Sequence, residues 1–311
     1  WQTAASSRGT KLLVIDDLAD RPHACDVLLD QNLGRRPSDY RKLVPDDCTC
    51  LTGSSYALLR PEFAELRAQA LAARTGRGLK RLMISMGGID AVDATSAVLE
   101  ALRCAPLPES LQISVIMGGR APALEKVRAL AQEMPWPTEV VVDVDNMAMR
   151  MASADLAIGA GGSTTWERCC LGLPSIIVET ADNQAQTTRA MLEAGAALNP
   201  SPLKAIEFSR NLRATLTEAT DLARLFTLSQ NTTKVCDGDG IGRVLSKLAQ
   251  SELSFRPATF ADSRRVWEWR LTVDNAFGLA EEDTPYPAHD TWFRRAVGDP
   301  DRIIHIAMLG Q

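Results

Sequence analysis

From Leu79 onward the chain repeats one pattern: an apolar run of strand length, a glycine turn, then a helical stretch. Leu79–Ser85 runs into Met86-Gly87-Gly88 and a helix over about Ala94–Arg103. Leu111–Met117 runs into Gly118-Gly119 and a helix over about Pro122–Glu133. Glu139–Val142 reads as a third strand. Asp155–Ile158 reads as a fourth, meeting Gly159–Gly162 and a helix that starts near Ser163. Ser175–Val178 is the fifth, followed by a helix across Gln184–Glu193. Strands separated by helices of about 10–15 residues predict a parallel sheet covered on both faces, an α/β architecture. Several strands end directly in glycines that open a helix, which is where ligands of such sheets bind.

The flanks differ in character. Lys11–Ile15, ending in Asp16-Asp17, and Val27–Leu29 are short apolar runs. A helix follows Pro61, with Phe63, Leu66, Ala70 and Leu71 on one stripe, and Thr75–Gly78 reads as a linker. After about Gln250, Phe255-Arg256-Pro257-Ala258-Thr259 precedes an aromatic-rich helix holding Val266, Trp267, Trp269 and Arg270. Ile303–Met308 reads as a strand. The expected organisation is three pieces: 1–76, an incomplete first lobe; 77–250, a complete second lobe; and 251–311, the opening of a third domain. The chain begins at Trp1 with no signal-peptide pattern, so a piece of a longer product is expected.

Composition narrows the function classes. The 34 basic and 39 acidic residues leave a net charge of −5, without the electrostatic footprint of a nucleic-acid-binding protein. No apolar run approaches the about 18 residues of a membrane span. The seven cysteines include no C-x-x-C pair, and the three histidines, His23, His289 and His305, are scattered. Reduced thiols in a cytoplasmic protein without a metal centre are the expectation.

The chemistry points to Asp155–Glu167, D-L-A-I-G-A-G-G-S-T-T-W-E. A strand delivers the chain to Gly161-Gly162-Ser163, with Thr164 next, where glycines let the backbone approach a bound group and first-turn N–H groups attract an anion. Ser163 can cap the helix and donate to a phosphate oxygen. Glu167 lies one turn further on the same face, badly placed for phosphate but suited to accept from ribose hydroxyls. Together these suggest a nucleotide diphosphate; a glycine turn with an ordinary serine cap is the plainer alternative. In Val144–Ala154, Met147, Met149 and Met151 either fill core or flank a backbone contact to a planar base. Asn183 and Gln184 offer amides suited to sugar hydroxyls or acetamides, or form a helix cap. Gly87-Gly88 could form a second phosphate-facing turn, whereas Gly118-Gly119-Arg120 reads as a tight turn. Neither G-x-G-x-x-G, G-x-x-x-x-G-K-[ST] nor G-x-S-x-G occurs at these turns.

The segment G-G-S-T-T-W-E, the D-N-M-A before it and the N-Q after it resemble the UDP-sugar hydrolases of pseudaminic acid biosynthesis. These are the UDP-2,4-diacetamido-2,4,6-trideoxy-β-L-altropyranose hydrolases. Ile15-Asp16-Asp17-Leu18 with Arg21, His23, Cys25 and Asp26, then Gln31-Asn32 and Tyr56–Phe63, extend the likeness across roughly 10–245. A more distant likeness reaches the peptidoglycan N-acetylglucosaminyltransferase and its two-lobed GT-B architecture. The resemblance implies that Gly161, Gly162 and Ser163, with Thr164, hold the diphosphate. Glu167 would hold the ribose, the backbone near Met147 the uracil, and Asn183 and Gln184 the sugar. It implies attack of water on the anomeric carbon with UDP leaving, and neither metal nor cofactor. The family's histidine, in a Gly-x-Gly-His loop, would lie upstream of Trp1; His23 belongs to a separate stretch and takes a structural role. This chain alone is expected to bind UDP weakly and hydrolyse nothing. Two alternatives stay open: a glycosyltransferase with an acceptor other than water, and a nucleotide-sugar binding module without chemistry.

The tail from about Leu253 resembles the start of a GNAT N-acetyltransferase, which takes acetyl-CoA. Arg256-Pro257-Ala258-Thr259, Asp262, Trp267-Glu268-Trp269-Arg270 and His289-x-x-Trp292-Phe293 carry that likeness.

Overall fold

The computed structural model describes residues 11–249, 253–271, 285–299 and 304–309. The expected boundary at 250–251, Ile303, and the side chains of Trp269 and Arg270 lie outside the described residues. By internal contacts the described chain divides into two compact units, one from 11–29, 40–50 and 244–309, the other from 30–39 and 51–243.

In the first unit β1 (Leu13–Ile15) pairs in parallel with β2 (Val27–Asp30), Leu13 opposite Val27 and Ile15 opposite Leu29. A third strand, β3 (Thr49–Thr52), completes the sheet in the order β1-β2-β3. Val14, Cys25, Leu28 and Tyr40 form its small core. Asp16 closes β1 inside that core. Its Oδ2 accepts from the Tyr40 hydroxyl and the Ala19 N–H, both at 2.8 Å, and Oδ1 lies 3.5 Å from His23 Nε2. Burial pushes this carboxyl up, but the Ala19 N–H, the Tyr40 hydroxyl and His23 outweigh it, so its pKa lies below the ordinary 3.8. A depressed carboxyl pKa contributes stability that is present above the unfolded-state value and lost as pH falls through the folded one. Asp16→Asn should therefore cost about 1–2 kcal/mol at neutral pH. Urea titrations at pH 7 and at pH 3 should show the gap between variant and parent closing at the lower pH; a gap independent of pH refutes this.

The second unit opens with α1 (Pro61–Arg74), started by a proline at the first helical position. Then follow β4 (Arg81–Ser85), α2 (Ala94–Leu102), β5 (Gln112–Met117), α3 (Leu124–Gln132), β6 (Thr138–Val142) and α4 (Met147–Ser153). β7 (Leu156–Ala160), α5 (Thr164–Cys170), β8 (Ser175–Val178) and α6 (Ala185–Glu193) complete the alternation. All five strands are parallel, in the order β6-β5-β4-β7-β8. The expected strands and helices recur with shifted ends. The fourth strand reaches Ala160 rather than Ile158, so Gly159 is a strand residue and not the start of the turn.

Alternate residues of one strand feed opposite faces of the sheet. Leu82 and Ile84 of β4 enter one core, with Val98, Leu102, Leu156 and Ile158; Met83 enters the other, with Trp166, Ile177 and Met191. Three helices that the glycine-punctuated pattern does not announce follow: α7 (Phe208–Ala219), α8 (Leu222–Val235) and α9 (Gly240–Ala249). Leu212 and Leu216 of α7, with Leu225 and Leu228 of α8, cover the first face. The expected lobe boundary at 76–77 falls inside this unit.

From 253 on, β9 (Leu253–Pro257), α10 (Ser263–Leu271), α11 (Tyr286–Gly298) and β10 (His305–Leu309) follow in chain order, and β9 pairs antiparallel with β10. Arg256 grips the Asp262 carboxylate through two bonds of 2.7 and 2.6 Å, and Trp267 meets Tyr286 edge to face at 5.3 Å. No helix of the described residues is long and apolar enough to cross a membrane.

Candidate ligand site at the strand switch point

The strand order places β4 between β5 and β7, so chain progression reverses between β4 and β7. The carboxyl ends of two such strands leave a crevice that the following helices, turning to opposite faces, do not fill. Ser85 of β4 lies in register with Gly159 of β7, which brings the Gly87-Gly88 and Gly161–Ser163 turns to that one edge. Gly87 takes φ 93°, open to glycine but strained for other residues. Asp90 then anchors the turn: its carboxylate accepts the Ala94 and Thr95 N–H groups, each at 2.9 Å, at the start of α2.

Neighbouring turns brace each other. A Cβ on Gly118 would run into the Gly88 carbonyl, so the β5 turn supports the β4 turn by direct backbone contact. Gly119 N–H donates to Asp143 Oδ1 at 2.8 Å, tying the β5 turn to the end of β6. On the other side Gly161 N–H donates to Gln184 Oε1 at 3.3 Å. The same oxygen accepts from the Thr180 N–H at 3.0 Å, and Gln184 Nε2 donates to Thr180 Oγ1 at 3.1 Å. Gln184 thus fastens the β7 turn to the β8 loop, with Asn183 beside it exposed in a short 3-10 turn over Asp182–Gln184.

Gly161 is buried, while Gly162 and Ser163 are exposed, and a Cβ on Gly162 would meet nothing within 4 Å. The expected serine cap is not made: Ser163 already has helical dihedrals (φ −57°, ψ −29°), and its side chain forms no cap bond. Its carbonyl accepts the Trp166 N–H at 3.0 Å at the entry to α5, while the hydroxyl makes no cap bond. Glu167 is half-buried one turn on. Burial raises its carboxyl pKa, against the lowering pull of Arg60 and Arg168, and Glu62 adds to the rise. Met147 opens α4 half-buried against the core that contains Met151, while Met149 is 62% exposed, so only part of the methionine row is core.

The pattern of glycines and polar residues does not reveal Arg168. Its guanidinium lies beneath the turn, with Nη2 donating to the Ala160 carbonyl and Thr165 Oγ1 at 3.0 Å each, and Nη1 to Thr164 Oγ1 at 3.4 Å. Gly159 has no side chain because this guanidinium and the Ser85 carbonyl occupy the space. Burial pulls the Arg168 pKa down to about 10. The readable signal was a lone cation in a helix whose neighbours Thr165, Trp166, Cys169 and Cys170 are all buried.

A five-stranded parallel sheet of this order, with its glycine turns at the switch point, belongs to the GT-B class of folds. Residues 82–226 match the glycosyltransferase family 28 C-terminal domain. The chain is 29% identical over 188 residues to the UDP-2,4-diacetamido-2,4,6-trideoxy-beta-L-altropyranose hydrolase of Campylobacter jejuni, spanning 60% of this chain and 64% of that protein. It is 28% identical over 147 residues to the spore coat polysaccharide biosynthesis protein SpsG of Bacillus subtilis, spanning 47% of this chain and 42% of that one. The chain therefore covers less than two thirds of the length of either relative. Among solved structures, that of Acinetobacter baumannii MurG aligns with a TM-score of 0.55 at 16% identity, over 80% of this chain and 70% of that one.

Proposed function

We propose that the lobe of 77–250 binds the UDP end of a UDP-sugar and that the protein is a cytoplasmic hydrolase of pseudaminic acid biosynthesis. The reaction is attack of water at the anomeric carbon, breaking the bond to the diphosphate and releasing UDP and 2,4-diacetamido-2,4,6-trideoxy-L-altrose. The observation that carries this reading is the turn at the switch point, with Gly162 and Ser163 exposed beside Gly87-Gly88, in a chain with a hydrolase relative. Gly161, Gly162, Ser163 and Thr164 take the diphosphate, Glu167 the ribose, the backbone near Met147 the uracil and Asn183 the sugar. Gln184 acts through Gly161, whose N–H it already holds. A negative leaving group is stabilised where fixed donors meet the charge that develops on it. The resemblance assigns the activation of water to a histidine in a Gly-x-Gly-His loop, a motif that 1–311 does not contain.

The match to a glycosyltransferase family favours a second reading, transfer of the sugar to an acceptor other than water. Full-length protein given the UDP-sugar alone separates the two. UDP release without an acceptor supports hydrolysis, and release only when an acceptor is added supports transfer. Residues 251–311 we assign to the opening of an acetyltransferase domain.

Glu167→Ala should weaken UDP binding about tenfold, the worth of a charge-assisted bond to a ribose hydroxyl. Calorimetry on the 311-residue chain measures it, and an unchanged affinity removes the ribose assignment.

A further inference from the structure

Arg168 is 2% exposed, and among the described residues no carboxylate lies within ion-pair distance of it. Its Nε is buried without a hydrogen-bond partner. The acidic groups that act on it stand in its own helix: Cys169, whose thiol burial pushes far up and keeps neutral, and half-buried Glu167 at longer range. Taking a guanidinium out of water with one donor unsatisfied and no paired anion is unfavourable, and an unbranched apolar side chain would fill the same volume at lower cost. Among the described residues no anion pairs with this charge, and an anion bound at the turn would compensate it. The side left open is the turn: Arg168 binds the carbonyl of Ala160, the residue before Gly161, and Gly162 faces free space.

We propose that Arg168 is a positioning residue that supplies the buried counter-charge of the diphosphate site and fixes the glycine turn above it. The inference rests on the reading of this turn as a UDP site. Arg168 need not touch the ligand: its field acts through a region of low polarity, where a fixed charge is felt more strongly than in water. Its three bonds to Ala160, Thr164 and Thr165 hold the turn in place before the ligand arrives.

The test compares UDP with uridine, which shares the base and ribose but carries no phosphate. Calorimetry on the 311-residue chain should show Arg168→Met losing on the order of tenfold in UDP affinity, with uridine affinity changed less than about twofold. Arg168→Lys, which keeps the charge, should retain most of the preference for UDP. A general loosening of the fold would weaken both ligands alike. If Arg168→Met preserves the UDP-to-uridine ratio of the parent, the inference is overturned while the UDP reading stands. If the parent chain binds no UDP, both fall. Should the variants not fold, the parent gives the answer by nitrogen NMR: the buried Arg168 Nε–H resonance should shift with UDP and not with uridine, and a resonance unmoved by UDP overturns the proposal.

Discussion

Arg74→Met should lower the unfolding free energy by about 3–5 kcal/mol, the range for removing one side of a buried charged network. Arg74 is the last residue of α1, and its guanidinium is shared among three carbonyls: Leu171 through Nε at 2.7 Å, Ala154 through Nη1 at 2.7 Å and Met151 through Nη2 at 2.9 Å. Those carbonyls end α4 and α5, where the last turn of a helix has no internal donors left. Burial, with Arg77 nearby, pulls the Arg74 pKa down to about 10, while Asp155 opposes the shift. Arg67, two turns earlier, does the same for α5 and α8: Nη1 donates to the carbonyls of Cys170 and Cys236, and Nη2 to that of Thr233. Methionine at 74 keeps the stem's volume but strands three acceptors in a site that water does not reach. Arg74→Lys should recover only part of the loss, because one ammonium cannot meet the fork geometry of three carbonyls. Urea titration followed by tryptophan fluorescence measures both variants, and a loss under about 1 kcal/mol for Met would show that the carbonyls find other donors. The same geometry predicts that a chain shortened to begin at 77 is less stable than its sheet would suggest, since α1 caps its helices.

Why this clamp escapes a reading of the sequence is visible in its spacing. Phe63, Arg67, Ala70 and Arg74 occupy one helical stripe, but a pattern search for apolar residues selects Phe63, Leu66, Ala70 and Leu71 and assigns the arginines to solvent. Arg168 is hidden in the same way, one cation in a buried helix. The glycine turns were legible because a parallel strand that ends on a ligand edge must stop its side chains there, and Gly87-Gly88 and Gly161-Gly162 mark those stops. Gly159 was misplaced for a reason only the fold supplies: it is still strand, and its missing side chain makes room for Arg168. The helices over 208–249 carry their signal in the 4-4-3 spacing of Phe208, Leu212, Leu216 and Ala219, without a glycine to announce them. Ser163 reads as a cap because serine before an apolar helical run usually is one. Here that residue, just before α5, already has helical dihedrals, and its hydroxyl makes no cap bond.

Two glycine substitutions should separate support of the site from the site itself. Gly118→Ala sets a Cβ against the Gly88 carbonyl, backbone on both sides, so no side chain can swing away. Relief requires moving the β4 turn or the β5 turn, at about 1–3 kcal/mol for overpacking. Because Asp90 anchors the β4 turn to α2 through two bonds and Asp143 anchors Gly119, neither turn moves alone. Gly162→Ala, by contrast, adds its Cβ to open space at a residue without a left-handed φ, and stability should stay within about 0.5 kcal/mol of the parent. Its cost should appear on the ligand: a methyl group where a diphosphate must approach the backbone should reduce UDP affinity on the order of tenfold. Thermal unfolding and calorimetry on the two variants give the four values needed. If Gly162→Ala binds UDP as the parent does, the backbone at 162 is not where the phosphates dock. If Gly118→Ala unfolds at the parent's temperature, the contact between the first two turns does not brace the crevice. The diphosphate would then have to be held by the β7 turn and Arg168 without help from Gly87 and Gly88.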